Sequence, residues 1–330
     1  MPAPDHGLEL PALESGVPPL TRRAGADRPV APSPGLYSAR LLERFAGDGH
    51  AAFVSSGGHV LRPRLARSLE LADLVAGLHV VDVGSGRGEA AARAAAAGCR
   101  VTAVDWSRDA LALTGRAARA VRAEVVSAAA DATALPLADG CADRVLLLDV
   151  IEHLCPEDVA ATLAEARRIL DPGGYVVIHT LPNRWSLAVG YRVLRLLARD
   201  LPGDPRSGYE RLVHVNEQDP WRLKRSLTAA GLASRVWVEE WSTCHAAGAG
   251  GSRFPDRARA EGYPVLRRRW VRTVAGLTMR GPARWLVAND IFAVAWLSGG
   301  RPSLTRVTRM RYDMESRSAR SWRGGAMSRA

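Results

Sequence analysis

Val80-Val81-Asp82-Val83-Gly84-Ser85-Gly86-Arg87-Gly88 decides how the rest of the chain is read. The run is apolar up to Asp82 and then breaks into glycines at alternate positions. Glu89–Ala97, which follows, is almost pure alanine, the best helix former. The local order is therefore strand, glycine turn, helix. Glycines at such a turn let the backbone reverse sharply. They also let a ligand approach the peptide groups at the positive end of the helix. The third glycine comes one residue early for the dinucleotide fingerprint Gly-x-Gly-x-x-Gly. An acid two positions before the first glycine would repel a pyrophosphate but suits an ammonium group.

Outward from this turn the chain alternates between strand and helix periods. Arg100–Asp105 reads as a second strand, Ser107–Arg119 as a helix opened by a capping serine, and Glu124–Ser127 and Arg144–Asp149 as strands three and four. Pro156 opens a helix whose buried stripe is Val159, Leu163, Ala166 and Leu170, and Asp171-Pro-Gly-Gly turns into a fifth strand, Tyr175–Leu181. Upstream, Leu61, Leu65, Leu69, Ala72 and Val75 recur at helical steps until Gly77. Downstream come a helical insert, Trp185–Arg199, a helix capped by Asp219 and closed by Gly231, and two last strands, Ser234–Trp241 and Asn289–Leu297. The pattern predicts an α/β fold: a doubly wound, mainly parallel seven-stranded sheet, Rossmann-like, with helical inserts. Its expected extent is 36–298, with inserts at about 184–215 and 242–288. The 47 residues between the last two strands are too many for a hairpin loop. Residues 1–35 hold eight prolines and read as disordered, and 299–330 read as a flexible basic tail.

Composition narrows the class. At 330 residues, 47% hydrophobic and 24% charged, the chain can bury a sizeable core. It has no apolar run of the ~20 residues that a membrane span needs and no secretory pattern at its start, so a cytoplasmic location is expected. Cys99, Cys141, Cys155 and Cys244 are scattered, which excludes a disulfide framework and a thiolate zinc site. The net charge of +11 is almost all arginine, Lys224 being the one lysine. From Arg253 onward, 17 arginines face five acids, a net of +12, which leaves −1 for the first 252 residues.

Five ordered signatures between about 37 and 240 make the chain resemble the class I S-adenosylmethionine-dependent methyltransferases. They are the glycine turn; Val101-Thr-Ala-Val-Asp105-Trp106-Ser107; Ala130-Asp131-Ala132-Thr-Ala-Leu135-Pro136-Leu137-Ala-Asp139-Gly140; Leu148-Asp149-Val-Ile-Glu152-His153-Leu154; and Leu170-Asp-Pro-Gly-Gly-Tyr-Val-Val-Ile with Pro182-Asn183. The resemblance implies that S-adenosyl-L-methionine lies along Asp82, Gly84, Ser85, Gly86 and Gly88. Asp82 would face its ammonium, Asp105 its ribose hydroxyls and Asp131 with Ala132 its adenine. Trp106 would cover a ring face, and Asp149 would close the cofactor set.

Methyl transfer from a sulfonium rests on alignment and desolvation, and oxygen or nitrogen acceptors call for a base as well. Asp149, Glu152 and His153 share one face if they form a helical turn, and His214 is a further candidate base or ligand. Asp-x-x-Glu-His is similar to the Glu-x-x-Glu-His of ubiquinone-biosynthesis O-methyltransferases and small-RNA 3′-end methyltransferases. That similarity implies a divalent metal, magnesium or manganese, on Asp149, Glu152 and His153. Aspartate reaches one methylene less than glutamate, and in a metal-free alternative Glu152 merely braces the site.

The inserts are expected to set specificity. Trp185, Leu187, Ala188, Tyr191, Leu194 and Leu197 suggest a lid over a hydrophobic small-molecule or lipid-like acceptor. Leu266, Trp270, Val274 and Leu277, among arginines, form an amphipathic helix that either packs over the sheet or rests on an anionic membrane. The favoured function is methyl transfer to such an acceptor, on oxygen. RNA methylation through the basic last quarter is the alternative, and nucleic acid is disfavoured as a partner because regular aromatic interleaving is missing. A NAD-dependent oxidoreductase is the remaining alternative, against which the glycine spacing argues.

Overall fold

The computed structural model describes residues 32, 34–45, 49–197, 203–206, 208–239, 277–279 and 281–299. Seven strands form one sheet: β1 (His79–Val83), β2 (Arg100–Asp105), β3 (Val126–Ala129), β4 (Ala142–Leu148), β5 (Leu170–Thr180), β6 (Leu232–Glu239) and β7 (Asp290–Leu297), in the order β3-β2-β1-β4-β5-β7-β6. The first five pair in parallel, while β7 runs antiparallel to β5 and β6. The predicted mainly parallel α/β sheet is present, with one reversed hairpin at its edge.

The central strands are apolar on both faces because helices cover both. Two short helices, α1 (Ala39–Phe45) and α2 (Gly49–Ser55), lead in, and α3 (Pro63–Ala72) and α4 (Glu89–Ala96) pack over Val80, Ala103, Leu146 and Val177. Next comes α5 (Arg108–Ala120), with the Ser107 hydroxyl accepting the Ala110 amide as its cap, and it packs on α4. Across the sheet, α6 (Pro156–Ile169) buries Val159 and Leu163 against Val81, Val104 and Leu147.

The first insert is a π-helical turn, Ser186–Tyr191, leading into α7 (Arg192–Leu197), then α8 (Gly208–Val213). It is followed by α9 (Pro220–Ala229), where Asp219 caps the first turn by accepting the Arg222 amide, and later by α10 (Arg284–Val287). The π-helical turn packs on α10, and Val193 and Leu196 of α7 are exposed.

Several boundaries differ from the sequence expectation. Strand β3 begins two residues late, and α3 stops at Ala72, where Asp73 takes a left-handed φ of 45°, well before Gly77. Strand β5 begins already at Leu170, paired with Ala142, and resumes at Tyr175 opposite Arg144. Gly174 makes this excursion fit: a Cβ there would lie 2.8 Å from the Asp143 carbonyl. The expected disorder of 1–35 and flexibility of 299–330 fall almost wholly outside the described residues. So does most of the 242–288 insert, with Leu266, Trp270 and Val274. Among the described residues no helix is long and apolar enough to cross a membrane.

Candidate active site

Strand order turns back between β1 and β4, and open sheets take their ligands at the carboxyl ends of strands beside such a point. The glycine turn leaves β1 there. The amides of Gly84 and Ser85 donate to the Val104 carbonyl at 2.8 and 3.1 Å, stitching the turn to β2. Gly88 precedes α4 with φ 74°, and a Cβ would stand 2.4 Å from Thr114 Cα, so close packing of α4 on α5 demands glycine.

Two acids flank this turn. Asp82 is 2% exposed, and its Oδ2 has no hydrogen-bond partner. Burial, with the charge of Asp105 adding to it, pushes its carboxyl up to about 7. An arriving cation would relieve both effects. Asp105 is pinned by two backbone donors, the Gly86 amide at 2.9 Å and the Ser107 amide at 2.8 Å. Burial raises its pKa even against those bonds.

Further along the edge, the Ala130 amide donates to the Asp105 carbonyl at 3.2 Å. Asp131 is exposed, with Oδ1 accepting from the Thr133 amide and hydroxyl, and Ala132 is half-buried beside it. Trp106 is half-exposed, and Tyr37 meets its ring edge-on at 5.4 Å between centroids. Asp82, Gly84, Ser85, Gly86, Gly88, Asp105, Trp106, Asp131 and Ala132 thus follow the ends of β1, β2 and β3.

The residues after β4 do not form the expected single face. Ile151–His153 is a 3-10 turn, and Asp149 has a left-handed φ of 58°. One Asp149 oxygen lies 3.1 Å from Arg64 Nη2 and the other bonds His179 Nδ1. With both oxygens held by cations, Asp149 is not free as a metal ligand, which corrects the sequence-based set. His179 is fully buried, and its Nε2 lies 3.0 Å from Asp290 Oδ1. Burial opposes the protonated ring, but Asp149 and Asp290 prevail and raise its pKa to about 9.

What the structure does bring together is Glu152, His153 and His214, whose ligand atoms lie within 4.8 Å of one another. The Glu152 Oε2 accepts the Thr180 hydroxyl at 2.7 Å, while Oε1 is buried and partnerless, as is His214 Nδ1. Burial and the neighbouring Asp149 charge push the Glu152 carboxyl up to about 8. His153 Nδ1 stands 3.1 Å from the Val213 carbonyl and 3.1 Å from the Tyr37 hydroxyl. A carbonyl can only accept, so Nδ1 carries the proton and Nε2 the lone pair. Burial and the His214 ring hold His153 down to about 3, and burial holds His214 at about 4, so both rings are neutral.

Arg64, His179, Asp290 and Tyr37 escaped the sequence reading. A histidine inside the apolar run Val176-Val-Ile-His179, and an acid opening Ile291-Phe-Ala-Val, were visible signals of a buried polar pair. Their meeting depended on β7 lying against β5.

Residues 81–178 match the family model for a methyltransferase domain. A ubiquinone biosynthesis O-methyltransferase of Rhizobium leguminosarum bv. trifolii is 31% identical over 172 residues, covering 52% of this chain and 62% of its own length. The chain thus spans less than two thirds of that relative. A ubiquinone/menaquinone biosynthesis C-methyltransferase of Rubrivivax gelatinosus is 40% identical over 192 residues, 56% of this chain and 73% of that one. Among solved structures, Haemonchus contortus phosphoethanolamine N-methyltransferase 2 in complex with S-adenosyl-L-methionine superposes with a TM-score of 0.52 at 18% identity, covering 80% of this chain and 58% of that one. That likeness concerns the fold.

Proposed function

This chain belongs to the class I S-adenosylmethionine-dependent methyltransferases, and on that premise we propose that it methylates a small hydrophobic acceptor on oxygen. One observation carries the reading: a buried carboxyl oxygen without a partner, Asp82 Oδ2, lies at the end of β1, and two buried atoms without partners, Glu152 Oε1 and His214 Nδ1, lie in the cluster after β4. The first suits the donor's ammonium. The second pair suits an acceptor that must lose a proton.

In this reading Asp82 holds the ammonium, Asp105 accepts the ribose hydroxyls and Trp106 covers the adenine, with Asp131 and Ala132 at its edge. Charge-assisted bonds to a carboxylate each contribute on the order of 1.5–3 kcal/mol. As the acceptor oxygen attacks, the oxygen–methyl bond forms while the sulfur–methyl bond breaks, and the sulfonium becomes a neutral thioether. The acceptor's proton goes to the Glu152–His153–His214 cluster. Glu152, with a carboxyl pushed up to about 8, is matched to act as base near neutral pH. Asp149 does not act as a base here. Paired with Arg64 and His179, it fixes the wall between the two halves.

Glu152, His153 and His214 also fit a divalent cation, which would polarise the acceptor oxygen when bound, and two imidazoles favour manganese over magnesium. The π-helical turn and α7 supply the apolar side for the acceptor. Exposed Val193 and Leu196 beside Arg192 and Arg195 favour peripheral contact with an anionic membrane at its cytoplasmic face. A carbon acceptor is the second reading, favoured by the 40% identity to a C-methyltransferase. Incubation with S-adenosylmethionine and either an octyl-substituted catechol or an octyl-substituted naphthoquinol, read by mass spectrometry, separates them. A methoxy product from the catechol is expected, and a ring-methylated naphthoquinol alone would overturn the oxygen assignment.

A further inference from the structure

Residues 130–141 cross from β3 to β4 without a strand ladder or helix of their own, yet Leu135 is 5% exposed and Leu137 packs against the core. Those leucines draw their own peptide groups below the surface, where unpaired amides and carbonyls are costly. Two side chains on α6 meet them. Glu165 Oε2 accepts the Leu135 amide at 2.8 Å, and Arg168 donates to the Leu137 carbonyl at 2.7 Å and the Leu135 carbonyl at 3.1 Å. Arg168 also bonds Glu165 Oε1 at 2.7 Å and Asp139 Oδ1 at 2.6 Å, and its own carbonyl accepts the Gly140 amide at 3.0 Å.

An exposed ion pair one helical turn apart would contribute little by itself. This pair is different because its remaining valences are spent on the backbone of the connection. At its other end the connection is tied to the donor site, through the Ala130 amide on the Asp105 carbonyl. Asp131 and Ala132 lie between the two ties. Their distance from Asp105 is therefore set from α6, on the far side of the connection.

We propose that Glu165 and Arg168 are positioning residues for the donor's nucleobase: the clamp holds Asp131 where it selects a base bearing an exocyclic amino group. The proposal rests on the donor reading above. Neither side chain touches the nucleoside. Their effect is on selectivity, through a stretch of backbone whose end would otherwise move.

The test is calorimetric titration of the full chain with S-adenosylhomocysteine and with S-inosylhomocysteine, which carries an oxo group in place of the amino group. Wild type is expected to favour the adenine compound. Arg168→Gln and Glu165→Gln should each cut that preference roughly tenfold, the equivalent of one hydrogen bond. The loss should fall on the adenine compound, with inosyl affinity held within about twofold. Arg168→Lys, which keeps one donor to a carbonyl, should recover part of it. Equal weakening of both compounds, or an unchanged preference, overturns the clamp. Should either variant fail to fold, hydrogen exchange on ligand-free wild type decides: the Leu135 amide must exchange slowly, and fast exchange there overturns the proposal. If wild type binds neither nucleoside, the donor reading falls and takes the clamp with it. If it binds both and the variants keep the wild-type preference, the clamp alone falls.

Discussion

Replacing His179 with glutamine tests the buried chain Arg64–Asp149–His179–Asp290 through its dependence on pH. Each ring nitrogen faces a carboxylate oxygen, and ionised carboxylates only accept, so the ring is an imidazolium. Burial pulls its pKa down, but Asp149 and Asp290 override burial and raise it from 6.5 to about 9. For a base whose folded pKa exceeds its unfolded value, the stabilisation is complete below the unfolded pKa. It is lost as pH rises through the folded one. The rise from 6.5 to about 9, at about 1.4 kcal/mol per tenfold gain in proton affinity, gives at most about 3–4 kcal/mol. Urea unfolding at pH 6, 7.5 and 9.5 should therefore show wild type more stable than His179→Gln by about 3 kcal/mol at pH 6, with the gap closing by pH 9.5. Asp82 and Glu152, pushed up to about 7 and 8, also shed stability as pH rises. Asp82 does so in both proteins, while Asp149 and Glu152 feel the imidazolium directly, so the difference reads the histidine together with these two carboxylates. A difference that does not vary with pH, or none at pH 6, refutes the imidazolium bridge.

Gly88→Ala should lower stability by about 2–4 kcal/mol in urea melts, from a left-handed φ and overlap with Thr114. Gly140→Ala, also at positive φ but with nothing within 4 Å of the new methyl, should cost only about 1 kcal/mol. Methyl transfer should rise with pH and level off above about 8 as Glu152 loses its proton, and Glu152→Gln should abolish that limb of the profile. Titration with manganese chloride should give one site that disappears in His214→Ala. An unchanged isotherm would place any bound ion elsewhere.

How far the sequence could be read depended on the range of each interaction. The edge around the glycine turn was legible because its parts are local. A strand, a glycine turn and a helix cap place Asp82, Gly84, Gly86 and Gly88 within a few residues of each other, and Asp105 ends the adjacent strand. The sheet followed from periodicity, since strands buried on both faces read as apolar runs. The cluster after β4 was less legible. Spacing put Asp149, Glu152 and His153 on one helical face, but a 3-10 turn and a left-handed Asp149 take Asp149 away from the other two. Asp149 turns toward Arg64 and His179, 85 and 30 residues away, and His214 joins Glu152 from the first insert. Long-range pairings of this kind follow from strand order, which no local pattern encodes.

Calorimetry of the intact protein with S-adenosylmethionine and S-adenosylhomocysteine bears most directly on the central claim. Both should bind at one site, and Asp105→Ala should weaken each by at least roughly a hundredfold, the loss of two charge-assisted bonds to the ribose. Absence of heat with either nucleoside, or an Asp105→Ala variant that binds as tightly as wild type, would contradict it.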